Sequence, residues 1–368
     1  MPVRESASTR NMFASTHTPA RRLRTWGAVL AAAAVLPAGL LAGCSKGSDD
    51  AESAIVKTTT SIAGAGVVGL ERDTRTACAL PSSPDATSGT RTITHAAGTS
   101  DVPADAKRVV VLSTAALDGV CALGLWERVV GAATISGPTP QPAYLGTGVS
   151  AIPGVGAVGS PDTAKIADLK PDLIIGAASD GPEYDAMKAI APTVLVGSDN
   201  GWQAQFSAIG EALDRKTAAA KALDDYRTAA HDAGNSQAAN LSQASILRFD
   251  AKSIQVQGGN SFAGQVLGDA GVQRPQSQRG DSYDVPTLGT EADRNKLEGD
   301  IVYIMFDGAD GQKYGESVMH SDNWKSLSVV GDNRDFVVED TIWHGSGITA
   351  ARALLDDMRK SLNGYVTG

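Results

Sequence analysis

Aromatic residues are scarce in this chain of 368 residues, with five Trp, seven Tyr and six Phe. So few rings argue against a core built on aromatic stacks, while abundant Ala and 40 Gly suit tight helix–strand packing. Histidine is scarcer still. Beyond residue 43 only His95, His231, His320 and His344 occur, widely spaced, so the several-His set of a bound zinc or manganese ion is missing and no metal site is expected. Clustered basic charge is missing too. Without residues 1–43 the chain has 27 basic and 40 acidic residues, a formal charge of −13, which excludes nucleic acid as the natural partner.

Enzymatic signatures are also wanting. Gly259-Asn260-Ser261-Phe262-Ala263-Gly264 has its second glycine one place late for a hydrolase elbow. Two G-x-G-x-x-G strings, at 64–69 and 154–159, lack the strand-then-helix context that gives that fingerprint its force. No paired acid and base or activated nucleophile emerges, so neither an enzyme nor a cofactor is expected.

What is present begins with the leader. Arg21, Arg22 and Arg24 precede an apolar stretch over 28–41 that is broken by Pro37 and Gly39. A bilayer span needs about 20 apolar residues, so this stretch fits the apolar region of a signal peptide. It ends in Leu41-Ala42-Gly43-Cys44, which resembles a bacterial lipobox. The expected product is cleaved after residue 43 and lipid-anchored through Cys44 on the extracytoplasmic face of the membrane. Cys78 and Cys121 then remain as an even pair in an oxidising compartment. A bridge between them closes a loop of about 44 residues, worth about 4 kcal/mol in the chain-entropy picture.

Along the chain, residues 44–60 read as a tether and 61–104 as an irregular extension punctuated by Pro and Gly. From 105 the pattern changes. Short apolar runs at 108–112, 129–133, 173–175 and 193–196 alternate with helical segments at 162–169 and 184–190. Residues 203–234 carry one long helical pattern with no strand. Alternation resumes with strands at 245–249, 300–306 and 335–338 and helices at 261–270 and 348–362. The expected fold is α/β: two Rossmann-like lobes, 105–202 and 235–368, joined by one long α-helix over 203–234, so closure of the lobes should be small.

The runs at 107–112, 118–125, 169–176 and 190–193, with 299–303, 324–330 and 331–338, resemble the ABC-type iron–siderophore substrate-binding proteins. Asp118 to Leu125, Pro142-Ala143-Tyr144-Leu145-Gly146 and Pro275-Gln276-Ser277-Gln278-Arg279 resemble the actinobacterial FecB-type lipoproteins among them. The resemblance implies a binding protein that captures a ferric siderophore and hands it to the permease of an ABC importer, as a monomer. It also implies one docking glutamate on each lobe. Glu291 matches the second; at the first stands Ala164, with Asp162 two residues earlier as a substitute or as a helix cap.

Ligands of open parallel sheets bind beyond the carboxyl ends of the strands. On the loops expected there, Tyr144, Trp202, Tyr283 and Trp343 are the candidate aromatics and Arg248 and Arg279 the candidate cations. His344, beside Trp343, leaves haem as an alternative ligand, and Ala164 leaves a non-transport envelope scaffold or sensor as an alternative role.

Overall fold

The computed structural model describes residues 57–58, 60–86, 88–180 and 184–366. The leader and Cys44 lie outside the described residues. Strand Val109–Val111 is buried on both faces, as an all-apolar run in the middle of a parallel sheet must be. Ser113 ends it and caps the following helix, Thr114–Ala122, by accepting from the Ala116 N–H. The first sheet runs in the order Thr193–Val196, Leu173–Ala177, Val109–Val111, Val129–Thr134, Gly154–Ala157, Ser160–Pro161, parallel except for its last pair. The second runs Tyr283–Val285, Ile254–Val256, Ala244–Phe249, Ile301–Phe306, Asp335–Val337, Ala65–Val67, Ser61–Ile62. Its four central strands are parallel, with antiparallel pairs at both ends.

The connecting helix is two helices. Trp202–Ala212 stops, the chain turns through Asp214 at φ 59°, and Lys216–Ser236 continues for 21 residues. Arg215 is fully buried in the break and donates to the Leu213, Asp214 and Ser82 carbonyls and to Asp105 at 2.8 Å. A buried guanidinium needs such partners, and their positions favour a turn over continued helix. Asp307 stands at the N-cap of the helix Gly308–Met319, which follows strand Ile301–Phe306 directly.

The extension at 61–104 is a strap across both lobes. Ala65–Val67 pairs with Asp335–Val337 in the second lobe, and Arg72 bridges to Asp357 of the helix Ile348–Ser361 at 2.6 Å. The chain then crosses to the first lobe, where Cys78 is disulfide-bonded to Cys121 and the Ala79 N–H meets the Cys121 carbonyl. The hairpin Thr90–His95/Gly98–Pro103 follows, held by Arg91 on Asp214 and on the Glu211 and Ala212 carbonyls.

One apolar core runs through both lobes. It includes Val109, Leu117 and Tyr144 of the first, Tyr303, Trp343 and Leu354 of the second, and Tyr226 and Ala230 of the long helix. A shared core and a strap both resist hinge bending, because neither lobe can rotate without exposing packed surface.

Candidate ligand-binding cleft

The carboxyl ends of the parallel strands carry the loops that face a ligand in this class of sheet. In the first lobe these are residues 112–113, 135–141, 178–180 and 197–201; in the second they are residues 250, 307 and 338–347. Residues 135–141 contain no charged side chain, and a hydrogen bond from the Ile135 N–H to the Pro140 carbonyl closes the loop. Gln141 at its end is fully buried, with neither side-chain amide atom hydrogen-bonded.

Two contacts hold the lobes together beside these loops. Asp118, fully buried in the Thr114–Ala122 helix, accepts from the Thr349 N–H at 2.8 Å and the Ala350 N–H at 2.9 Å. It thus caps the helix Ile348–Ser361 from the opposite lobe, and the helix N-terminus favours its negative charge. The Tyr144 hydroxyl donates to the same carboxylate at 3.0 Å. Burial pushes the Asp118 carboxyl up, against the lowering effect of these three donors. Gly347 is required here, because a Cβ would lie 2.1 Å from Asp118 Cγ. The second contact is Trp202 against Phe262, edge to face at 5.7 Å between ring centres, with Tyr226 also edge to face against the indole at 4.9 Å.

Of the four aromatics expected to meet ligand, three are buried. Tyr144, Trp202 and Trp343 are 3, 4 and 1 % exposed. Trp343 stacks on Tyr303 and donates from Nε1 to Asp357 at 3.0 Å, under the Arg72 bridge. Tyr283 is half-buried on an outer strand with its hydroxyl on the Lys296 carbonyl. Arg279 is exposed beside Gly258 and Gly259, which lead into the helix Phe262–Asp269.

Arg248 lies at the carboxyl end of its strand, as expected, but is already paired. It donates bidentately to Asp340 at 2.6 and 3.0 Å and pairs with Asp307 at 2.9 Å. His344 belongs to the same cluster. Its ring is held below its ordinary pKa by desolvation and then by the Arg248 charge, with Asp340 and Asp307 opposing. The structure therefore gathers Arg248, Asp307, Asp340 and His344 and leaves Arg279 and Tyr283 as a separate group. Sequence reading missed Asp118, Asp307 and Asp340. An Asp set in the apolar helix after Leu117 was the available signal for the first, since a buried carboxylate needs donors.

Asp162 caps the helix Thr163–Asp168 by accepting from the Lys165 N–H, and Glu291 is exposed in the first turn of Glu291–Arg294. Among the described residues no helix is long and apolar enough to cross a membrane, and no group of three or more His, Cys, Asp or Glu is placed to hold a metal ion.

Two α/β lobes joined along a helical backbone are the architecture of a substrate-binding protein. The chain belongs to the periplasmic binding protein family, whose pattern matches residues 109–338. It is 31% identical over 286 residues to the Bacillus subtilis protein named "Probable siderophore-binding lipoprotein YfiY", covering 74% of this chain and 87% of that one. Among solved structures, Staphylococcus aureus SirA complexed with staphyloferrin B superposes with a TM-score of 0.64 at 25% identity, over 74% of this chain and 99% of that one. The petrobactin-binding protein YclQ of Bacillus subtilis superposes at 0.62 with 22% identity, over 74% and 99%.

Proposed function

We propose that this protein is an extracytoplasmic lipoprotein that captures a ferric siderophore in the cleft between its lobes and delivers it to an ABC importer. The observation that carries the reading is the family fold, with the uncharged 135–141 loop and the Arg248–Asp307–Asp340–His344 cluster both at strand carboxyl ends. Named relatives that bind siderophores support the choice of cargo. In this reading Cys44 carries the lipid, the Cys78–Cys121 bridge holds the strap to the first lobe, and the monomer works alone. Arg279 and Tyr283 flank the ligand on one side and His344 on the other. Glu291 and Asp162 contact the permease, with Asp162 giving up the 3.7 Å pairing of its Oδ2 with Lys165 Nζ for an arginine. Rigid lobes then imply recognition by the permease of a loaded cleft more than of a closed shape.

Calorimetric titration against a panel of ferric siderophores, their iron-free forms and haem tests this. One-to-one binding of a ferric siderophore is expected. Binding of haem alone would move the reading to His344 as an iron ligand, for which the named relatives give no support. A silent panel would favour the scaffold role.

A further inference from the structure

Among the described residues, the arginine at the carboxyl edge of the second parallel sheet, Arg248, is already paired. Both oxygens of Asp340 hold Arg248 at Nε and at one terminal nitrogen, and Asp307 takes that terminal nitrogen too. Two carboxylates on one guanidinium leave a net negative cluster. Asp307 is 54 % exposed at the side chain, so the negative charge faces outward. Glu339 adds a further carboxylate next to Asp340, close enough to Tyr144 to act on its ionisation. The 135–141 loop, at a strand end of the first lobe, supplies no charge of either sign, and Asp199 stands after Thr193–Val196, at the edge of the same sheet. In the turn that follows the Arg248 strand the exposed Lys252 is matched by the Asp250 carboxylate, so the excess of negative charge at this strand end stands, while Arg279 belongs to the separate group beside Gly259.

Resting on the siderophore reading above, we infer that this cleft selects ferric chelates of zero or positive net charge, such as trihydroxamates, over anionic catecholate or citrate chelates. The basis is electrostatic. An anionic chelate needs a free cation to pair with, and taking Arg248 would strand the two carboxylates that now pair with it. A neutral trihydroxamate presents the carbonyl and N–O oxygens of its hydroxamates around iron and an apolar periphery, which the uncharged loop accepts. A pendant ammonium on such a chelate gains Asp307 as a partner.

The test uses the mature protein and three probes of different charge: ferrioxamine B, with a pendant ammonium; ferrioxamine E, neutral; and ferric enterobactin, a trianion. Affinities are read by calorimetry at low salt and again at high salt. Expected is at least about tenfold tighter binding of both ferrioxamines than of ferric enterobactin, with the gap narrowing as salt screens the cluster. Asp307→Asn should weaken ferrioxamine B several-fold, leave ferrioxamine E nearly unchanged and improve ferric enterobactin. Circular dichroism of the variant checks that it is folded, and Asp340→Asn repeats the test from the other carboxylate. Tightest binding of ferric enterobactin, or a preference untouched by either substitution, overturns the inference while leaving the siderophore reading intact. Failure of all three probes, and of every other ferric chelate, overturns both.

Discussion

Replacing Asp118 by alanine should loosen the junction between the lobes more than any other single change in the Thr114–Ala122 helix. The carboxylate accepts from two N–H groups at the start of Ile348–Ser361 and from the Tyr144 hydroxyl, all buried. Losing an N-cap costs about 1–2 kcal/mol, and each stranded buried donor about 1–3 kcal/mol. Removing the charge also relieves its desolvation, which trims the loss, so the expected net effect is about 3–5 kcal/mol. Against a typical stability of about 5–15 kcal/mol that is severe. Urea unfolding followed by tryptophan fluorescence measures it. Tyr144→Phe, which removes only one donor, should cost about 1 kcal/mol. The two changes should also couple, since they share a carboxylate. A loss under about 1 kcal/mol for Asp118→Ala, or strict additivity of the pair, would refute the cap as the device that fastens the lobes.

Three other perturbations test separate parts of the account. Cys78→Ser together with Cys121→Ser should lower stability by about 4 kcal/mol, and limited proteolysis should then cut first within residues 69–89. Burial pushes the Asp335 carboxyl up to about 6. A folded-state value above the unfolded one gives stability that is complete below about pH 4 and lost as pH rises through 6. Asp335→Asn should therefore flatten the urea-midpoint profile between pH 4 and 7 relative to the wild type, by up to about 3 kcal/mol; parallel profiles would contradict this. Glu291→Arg should cut uptake of the iron-loaded siderophore by cells without changing its affinity for the protein, and unaffected uptake would rule out docking there.

Much of the two-lobe architecture was legible because its strands are short apolar runs between helical patterns. Val109–Val111, Leu173–Ala177 and Ile301–Phe306 are buried on both faces and need no tertiary information to be seen. The strap was not legible. Ser61–Ile62 and Ala65–Val67 are strands of two and three residues, too short for periodicity, and exist because the edge of Asp335–Val337 is there to pair with. The break at Asp214 escaped for a similar reason, since the partner that draws Arg215 inward, Asp105, lies 110 residues away.

The loops after the strands were legible as candidate positions, but the direction in which their side chains turn was not. A loop that follows a strand can turn an aromatic toward ligand or toward the neighbouring lobe, and sequence does not distinguish the two. Tyr144 and Trp343 turn inward because buried carboxylates, Asp118 and Asp357, wait for their polar tips. Arg248 looked like a ligand cation because its two acids are 59 and 92 positions downstream and meet it only in the fold.

The central claim is that a ferric chelate sits between the strand ends of the two lobes. Anomalous diffraction at the iron absorption edge, from crystals of the protein grown with the tightest-binding ferric siderophore, locates the metal directly. The account predicts one iron peak per chain, between the 135–141 loop and the Asp307–His344 cluster. A peak in the groove between the strap and the Ile348–Ser361 helix, lined by Arg72, Thr76 and Arg352, would contradict it, as would iron scattered over the surface.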